Sequence, residues 1–293
     1  IDARKNQLES SAWVVSKTGM PNSAIVGRHN MADLFLPKDP SISLRHLALI
    51  VEPAVSWDRG ELDVSYTVLD LRTGEGFVDE HGRRLTGLRV EGPSFIRCGD
   101  YAIFFMVTGD VTPWPERGQD AWECLPERVY LEERLGDGTG SHGYRARVAA
   151  ERQRNVAPGN TGRSFLQRTL GPVTMEHDLL RGDEDVIGEL RIRTASRQST
   201  FSIGASAARE GILLGRYDRC ERSGVLADAR ISRVHVLLIE LGEQIWAIDV
   251  ASTCGTWQIN RNKRLVESRV TALGHRDKLI LADRVGELRW KNR

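Results

Sequence analysis

Three short stretches between Ile212 and Trp257 carry side chains suited to holding an oxyanion. Gly215-Arg216 closes one apolar run, Ser232-Arg233-x-His235 opens a second, and Ser252-Thr253-Cys254-Gly255-Thr256-Trp257 follows a third that ends at Asp249. Arg216 presents a planar fork of N–H donors that matches two oxygens of a phosphate, which the point charge of a Lys does not. Ser232 brings a hydroxyl and a backbone N–H, Arg233 a second cation and Thr253 another hydroxyl.

Ser232, His235 and Asp249 also hold the three residue types of a nucleophilic hydrolase. That chemistry needs the Ser hydroxyl within hydrogen-bond reach of a His that a buried Asp orients. A His three residues after a Ser, at the mouth of a strand, reads more simply as a buttress of the loop. No catalytic residue, metal site or cofactor is expected, so the chain is read as binding and not as an enzyme.

Strands must position these loops. ELRIRTA, FSIGA, VHVLLIEL, QIWAIDV, DKLILAD and GELRW are short, rich in β-branched and aromatic residues, and often alternating. Gly242-Glu243 fits a tight turn between two of them. LLIEL alone could be buried helix, but its length and the frequent turn signals favour a strand. Trp246, Trp257 and Trp290 are expected in or near the core.

The order GR, then SxxH, then an Asp followed by Ser-Thr-x-Gly-Thr resembles the forkhead-associated (FHA) domain, a β-sandwich that binds phosphothreonine peptides. The resemblance implies that Arg216, Ser232, Arg233 and Thr253 contact the phosphate, while Gly215, His235 and Gly255 shape the loops. FHA domains carry an Asn in the last turn, whose amide clamps the peptide backbone; here Cys254 occupies that position and cannot both donate and accept well. Arg219, Arg222 and Arg230 are read as solvated loop residues that add local charge and tune the on-rate.

The same order recurs earlier in the chain. Gly27-Arg28 answers Gly215-Arg216, Ser43-x-x-His46 answers Ser232-x-x-His235, and Asp70 answers Asp249. The first copy departs from the pattern, with Leu44 in place of Arg233, Gly74 in place of Thr253 and Glu75 in place of Cys254. A carboxylate there would repel a phosphate a few ångströms away by on the order of a kcal/mol. Arg28 and Ser43 are therefore expected as remnants or as partners of Glu75, in a site degenerate for phosphate.

The expected architecture is all-β: two FHA-type sandwiches over 8–109 and 188–293, joined by a long, partly irregular connector over 110–187. The 293 residues suffice for that. In the connector YRARVAAERQRN reads as a short charged helix, and Trp114, Trp122, Tyr130, Phe165 and Leu166 as side chains able to pack on a neighbour. Residues from about Gly188 onward are expected to fold alone.

Lys+Arg 41 against Asp+Glu 40 leaves a net charge of +1, so nothing global points to nucleic acid or a membrane. No apolar run approaches the roughly 20 residues of a membrane span. Cys98, Cys124, Cys220 and Cys254 have neither metal-ligand nor disulfide-framework spacing, which suits a reduced, cytoplasmic setting. The start at Ile1 in place of Met points to trimmed upstream residues. The expectation is thus a phosphothreonine-dependent adaptor in Ser/Thr-kinase signalling, acting through the second copy, with a phosphothreonine protein, a kinase or its substrate, as partner. The alternative is a phosphate-independent scaffold or dimerisation module in which both copies are degenerate.

Overall fold

The computed structural model describes residues 1–5, 7–15, 17–53, 64–79, 81–91, 94–106, 179–180, 184–259 and 264–293, with the backbone of strands at 128–129, 165–166 and 168–172. Among them every regular element is a strand except one helix of six residues, Ala205–Glu210.

The first unit contributes β1 (Asn22–Gly27), β2 (Leu34–Phe35), β3 (Leu47–Val51), β4 (Ser65–Asp70), β5 (Phe77–Val78), β6 (Arg84–Leu85), β7 (Gly87–Glu91), β8 (Ser94–Cys98) and β9 (Tyr101–Phe105). Among the described residues β10 (Arg128–Val129) and β11 (Phe165–Leu166) pair with each other, and β12 (Arg168–Pro172) follows. The second unit holds β13 (Val186–Thr194), β14 (Gln198–Gly204), β15 (Ile212–Leu214), β16 (Val236–Leu241), β17 (Gln244–Asp249), β18 (Thr256–Ile259), β19 (Leu265–Glu267), β20 (Val270–Ala272), β21 (Lys278–Leu281) and β22 (Gly286–Asn292).

Strand order repeats between the units. One sheet of the first runs β12-β7-β4-β3-β1-β2 and contains the order β1-β3-β4-β7; the second has β15-β16-β17-β20. The facing sheets run β6-β5-β8-β9 in the first unit and β19-β18-β21-β22 in the second, the latter extended by β13 and β14. Gly242 at φ 65 closes the β16–β17 hairpin, whose pairing runs from Leu241–Gln244 to Val236–Asp249, as the sequence led one to expect.

Two boundaries differ from expectation. β12, inside the span read as connector, adds an edge strand to the first sheet by antiparallel pairing with β7. At the other end Ile1 and Ala102 exchange two hydrogen bonds, so the first unit gathers residues upstream of position 8. The helix expected in YRARVAAERQRN, and Trp114, Trp122 and Tyr130, lie outside the described residues.

Side chains of successive residues leave a strand on opposite faces, and here both faces are apolar. In β16, Val236 and Leu238 enter the core of the second sandwich with Leu190, Leu279 and Trp290, whereas Leu237, Ile239 and Leu241 point the other way. In β3, Leu47 and Val51 enter the core of the first sandwich, while Ala48 and Ile50 point away. The outward sets meet. Ile25, Ala48, Ile50, Leu69 and Leu71 of the first unit form one buried cluster with Leu213, Leu237, Ile239, Ile248 and Val250 of the second. These are equivalent positions of the repeat, so the two sandwiches join through the same sheet face in a pseudo-twofold manner. VLLI at the start of β16 is apolar throughout because both faces are covered there, and the run breaks only at the partly buried Glu240, which pairs with Arg209.

Candidate oxyanion-binding site

The glycine of each Gly-Arg pair is dictated by contact between loops. A Cβ on Gly215 would lie 2.2 Å from the Arg233 carbonyl oxygen, and one on Gly27 would lie 2.2 Å from that of Leu44. This close approach lets the Arg216 and Tyr217 amides donate to the carbonyls of Ser232 and Arg233, at 3.2 and 3.0 Å. The Arg216 backbone is thereby laid beside Ser232.

His235 is fully buried beneath these loops. Its Nδ1 accepts the Ser232 amide at 3.1 Å, so Nε2 carries the hydrogen and donates to the Gly255 carbonyl at 3.1 Å. One imidazole ties two loops together. Burial holds it below its ordinary value, against the opposing influence of Asp249 and the Gly255 hydrogen bond and with a further push from Arg45, which keeps the ring neutral near pH 7.

Asp249 organises the last turn. Oδ1 accepts the Ser252 amide at 2.7 Å, and Oδ2 accepts the hydroxyls of Ser252 and Thr256, both at 2.6 Å. Ala251 and Gly255 take positive φ, 56° and 73°, so the turn bends tightly at both ends of Ser252-Thr253-Cys254. The Thr253 amide then donates to the Ser232 hydroxyl oxygen at 3.0 Å. Cys254 is half-buried against the core, and its carbonyl accepts the Trp257 indole N–H at 3.3 Å. Trp290 and Trp246 are buried and Trp257 half-buried.

The hydrolase alternative fails on this geometry. His235 meets the Ser232 amide and not its hydroxyl, Nε2 is spent on Gly255, and Asp249 lies 3.9 Å from it. Among the described residues no cluster of three or more His, Cys, Asp or Glu could hold a metal, and no helix is long and apolar enough to cross a membrane. Burial pushes the Cys98 and Cys220 thiols up to about 12, so neither is a ready nucleophile.

Arg216, Arg233 and Thr253 are exposed at the rim of this framework, with the largely buried Ser232 between them. Among the described residues no carboxylate pairs with either guanidinium. The loop cations are exposed, as solvated loop residues are, but each also has a neighbour: Arg230 is held by Asp228 at 3.0 Å, Arg222 lies over the Phe201 ring, and Arg219 donates to the Arg72 carbonyl of the first unit at 2.9 Å.

The first unit reproduces the framework without the rim. His46 Nδ1 accepts the Ser43 amide at 3.0 Å and Nε2 faces the Gly76 carbonyl at 3.3 Å, while Asp70 accepts both the amide and the hydroxyl of Thr73. Arg72 has φ 57, as Ala251 has 56. Arg28, however, turns inward to the Ile42 carbonyl. Of the two alternatives the sequence left open for Arg28 and Ser43, remnants or partners of Glu75, the second is not seen: Glu75 takes Arg84 at 2.9 Å, the neighbour across the β5–β6 hairpin.

One buried side chain escaped the sequence reading altogether. Arg45 of the first unit crosses to the second and donates through Nε to the Ala251 carbonyl at 2.9 Å. Its position in the first SxxH stretch matches Val234, which gives no hint of a cation.

No family model matches the sequence, and no curated protein matches it. Solved structures similar to part of the chain include the FHA-1 domain of Mycobacterium tuberculosis Rv1747, at 22% identity over 36% of this chain and 97% of that one, with a TM-score of 0.27. The FHA domain of the Chlamydia trachomatis protein CT664 is similar at 16% identity over 36% and 98%, TM-score 0.29. Mycobacterium tuberculosis EmbR, in complex with a low-affinity phosphopeptide, is similar at 18% identity over 36% and 24%, TM-score 0.27.

Proposed function

We propose that the chain is a non-enzymatic adaptor of two FHA-type sandwiches, of which the second reads phosphothreonine on a partner protein in Ser/Thr-kinase signalling. The observation that supports it is the pair of exposed guanidiniums, Arg216 and Arg233, standing without a carboxylate partner among the described residues beside Ser232 and Thr253. His235 and Asp249 hold the loops so that little ordering remains for a ligand to impose, which favours affinity. The first unit keeps the buried His and Asp but has no exposed cation pair and no hydroxyl at Gly74. Its role is to pack against the second unit.

A phosphate-independent scaffold is the second reading, favoured by Cys254 where the family's peptide-clamping Asn would stand. Titration calorimetry of the full chain with a degenerate phosphothreonine peptide library, and with its unphosphorylated twin, separates the two. Binding only of the phosphorylated library is expected; equal affinity for both would leave the scaffold.

A further inference from the structure

We propose that this oxyanion site is composite, with Arg45 of the first unit acting as a positioning residue and third cation for a phosphate held by Arg216, Ser232, Arg233 and Thr253; the inference rests on the phosphothreonine reading above.

Arg45 leaves its own sandwich and fixes the turn of the other. Its guanidinium grips the Ala251 carbonyl through both Nε and Nη2, at the residue that carries the positive φ. A left-handed alanine is strained and persists where its surroundings hold it. Two residues on, the Thr253 hydroxyl lies 3.5 Å from Arg45 Nη2. The hydroxyl intended for phosphate is thus aimed by a residue from 208 positions earlier in the chain.

The charge of Arg45 is poorly offset. The residue is 9% exposed, and among the described residues no carboxylate lies within ion-pair distance of it. Asp249 is the favourable charge it feels, but that carboxylate is taken up by Ser252 and Thr256, and Arg233 adds like charge. A buried guanidinium without a counterion is costly, so the place beside Thr253 favours an anion. Phosphate dianion would relieve the three cations together.

The reciprocal contact explains why only one such site is open. Arg219 of the second unit donates to the carbonyl of Arg72, the φ 57 residue equivalent to Ala251. There the guanidinium comes to within 2.8 Å of the point where a side chain on Gly74 would begin, so the hydroxyl position is occupied by the cation itself.

The test uses the full chain and a phosphothreonine peptide selected from the library, with calorimetry and phosphorus NMR as readouts. Arg45→Met should weaken the peptide by about tenfold or more and raise the second pKa of the bound phosphate, a shift that a merely structural role would not produce. Arg45→Lys should keep that pKa low while recovering only part of the affinity. If Arg45→Met fails to fold, Arg45→Gln carries the test, because its amide still donates to the Ala251 carbonyl without the charge. Wild-type affinity and an unchanged bound-phosphate pKa in Arg45→Met or Arg45→Gln, with Arg216→Ala still losing the peptide, would overturn the composite site and leave the reader intact. A wild-type chain indifferent to phosphorylation would overturn both.

Discussion

Arg219 Nη1 stands 2.8 Å from the position a Cβ of Gly74 would occupy. The repeat places Gly74 where the second unit has Thr253, so the first unit has lost a hydroxyl and gained a neighbour in its place. Gly74 also sits at φ 85, a backbone region that side-chain-bearing residues enter only under strain.

Gly74→Thr should therefore lower stability by roughly 1–3 kcal/mol without creating a phosphate site. Denaturant titration of the full chain measures the first effect, and peptide binding in an Arg216→Ala background measures the second. Unchanged stability together with new phosphopeptide binding would show that the interface yields easily.

Arg216 is expected to make a bidentate, charge-assisted contact worth roughly 1.5–3 kcal/mol, or about one to two decades in affinity. Arg216→Ala should lose it, and Arg216→Lys should regain little because the ammonium lacks the fork. Calorimetry reads both. An alanine variant that binds like wild type would remove the phosphate-contact assignment. Cys254→Asn is the complementary change: it should tighten the phosphorylated peptide by restoring an amide beside it, with the requirement for phosphate unaltered.

The buried imidazole of His235 gives a pH signature in the absence of any ligand. Its folded-state value lies below the ordinary 6.5, so the unfolded chain takes up a proton first as pH falls. Stability is full above about pH 6.5 and declines below it, with a limiting slope near 1.4 kcal/mol per pH unit for one proton. Asp70, raised by burial against its Thr73 and His46 contacts, works in the opposite sense as pH falls further, so the window to read is the one just below pH 6.5. Denaturation midpoints of wild type and His235→Asn across that window should differ in slope. Parallel curves would mean that His235 is not buried neutral.

The face shared by the two units bears on how the second behaves alone. A fragment covering 184–293 would expose Leu213, Leu237, Ile239, Ile248 and Val250, all within 1% of full burial in the full chain. It should be folded by circular dichroism yet self-associate in sedimentation velocity, since a contiguous apolar face of this kind rarely remains uncovered. Leu237→Asp in the full chain should cost more than about 3 kcal/mol, as a buried unpaired charge does. A monodisperse fragment and a tolerant Leu237→Asp would both contradict the packing described.

Local patterns made much of this legible in advance. The β-strand reading of VHVLLIEL and QIWAIDV, the turn at Gly242-Glu243 and the buttress role of His235 depend on neighbours a few residues apart. Their physics is that of alternation, glycine conformations and short-range hydrogen bonds. β12 was missed because a five-residue edge strand, RTLGP, carries a Gly and a Pro that read as loop.

Sequence by itself determined the motif order, its recurrence and the differing residues Gly74 and Glu75 against Thr253 and Cys254, because these are matters of residue identity at fixed spacing. Only the tertiary structure decided how the first unit meets the second. The pairing of Arg45 with Ala251, and of Arg219 with Arg72, joins residues 206 and 147 positions apart. Nothing in local spacing encodes such pairs; they exist because two sheets, apolar on both faces, could be buried only against each other.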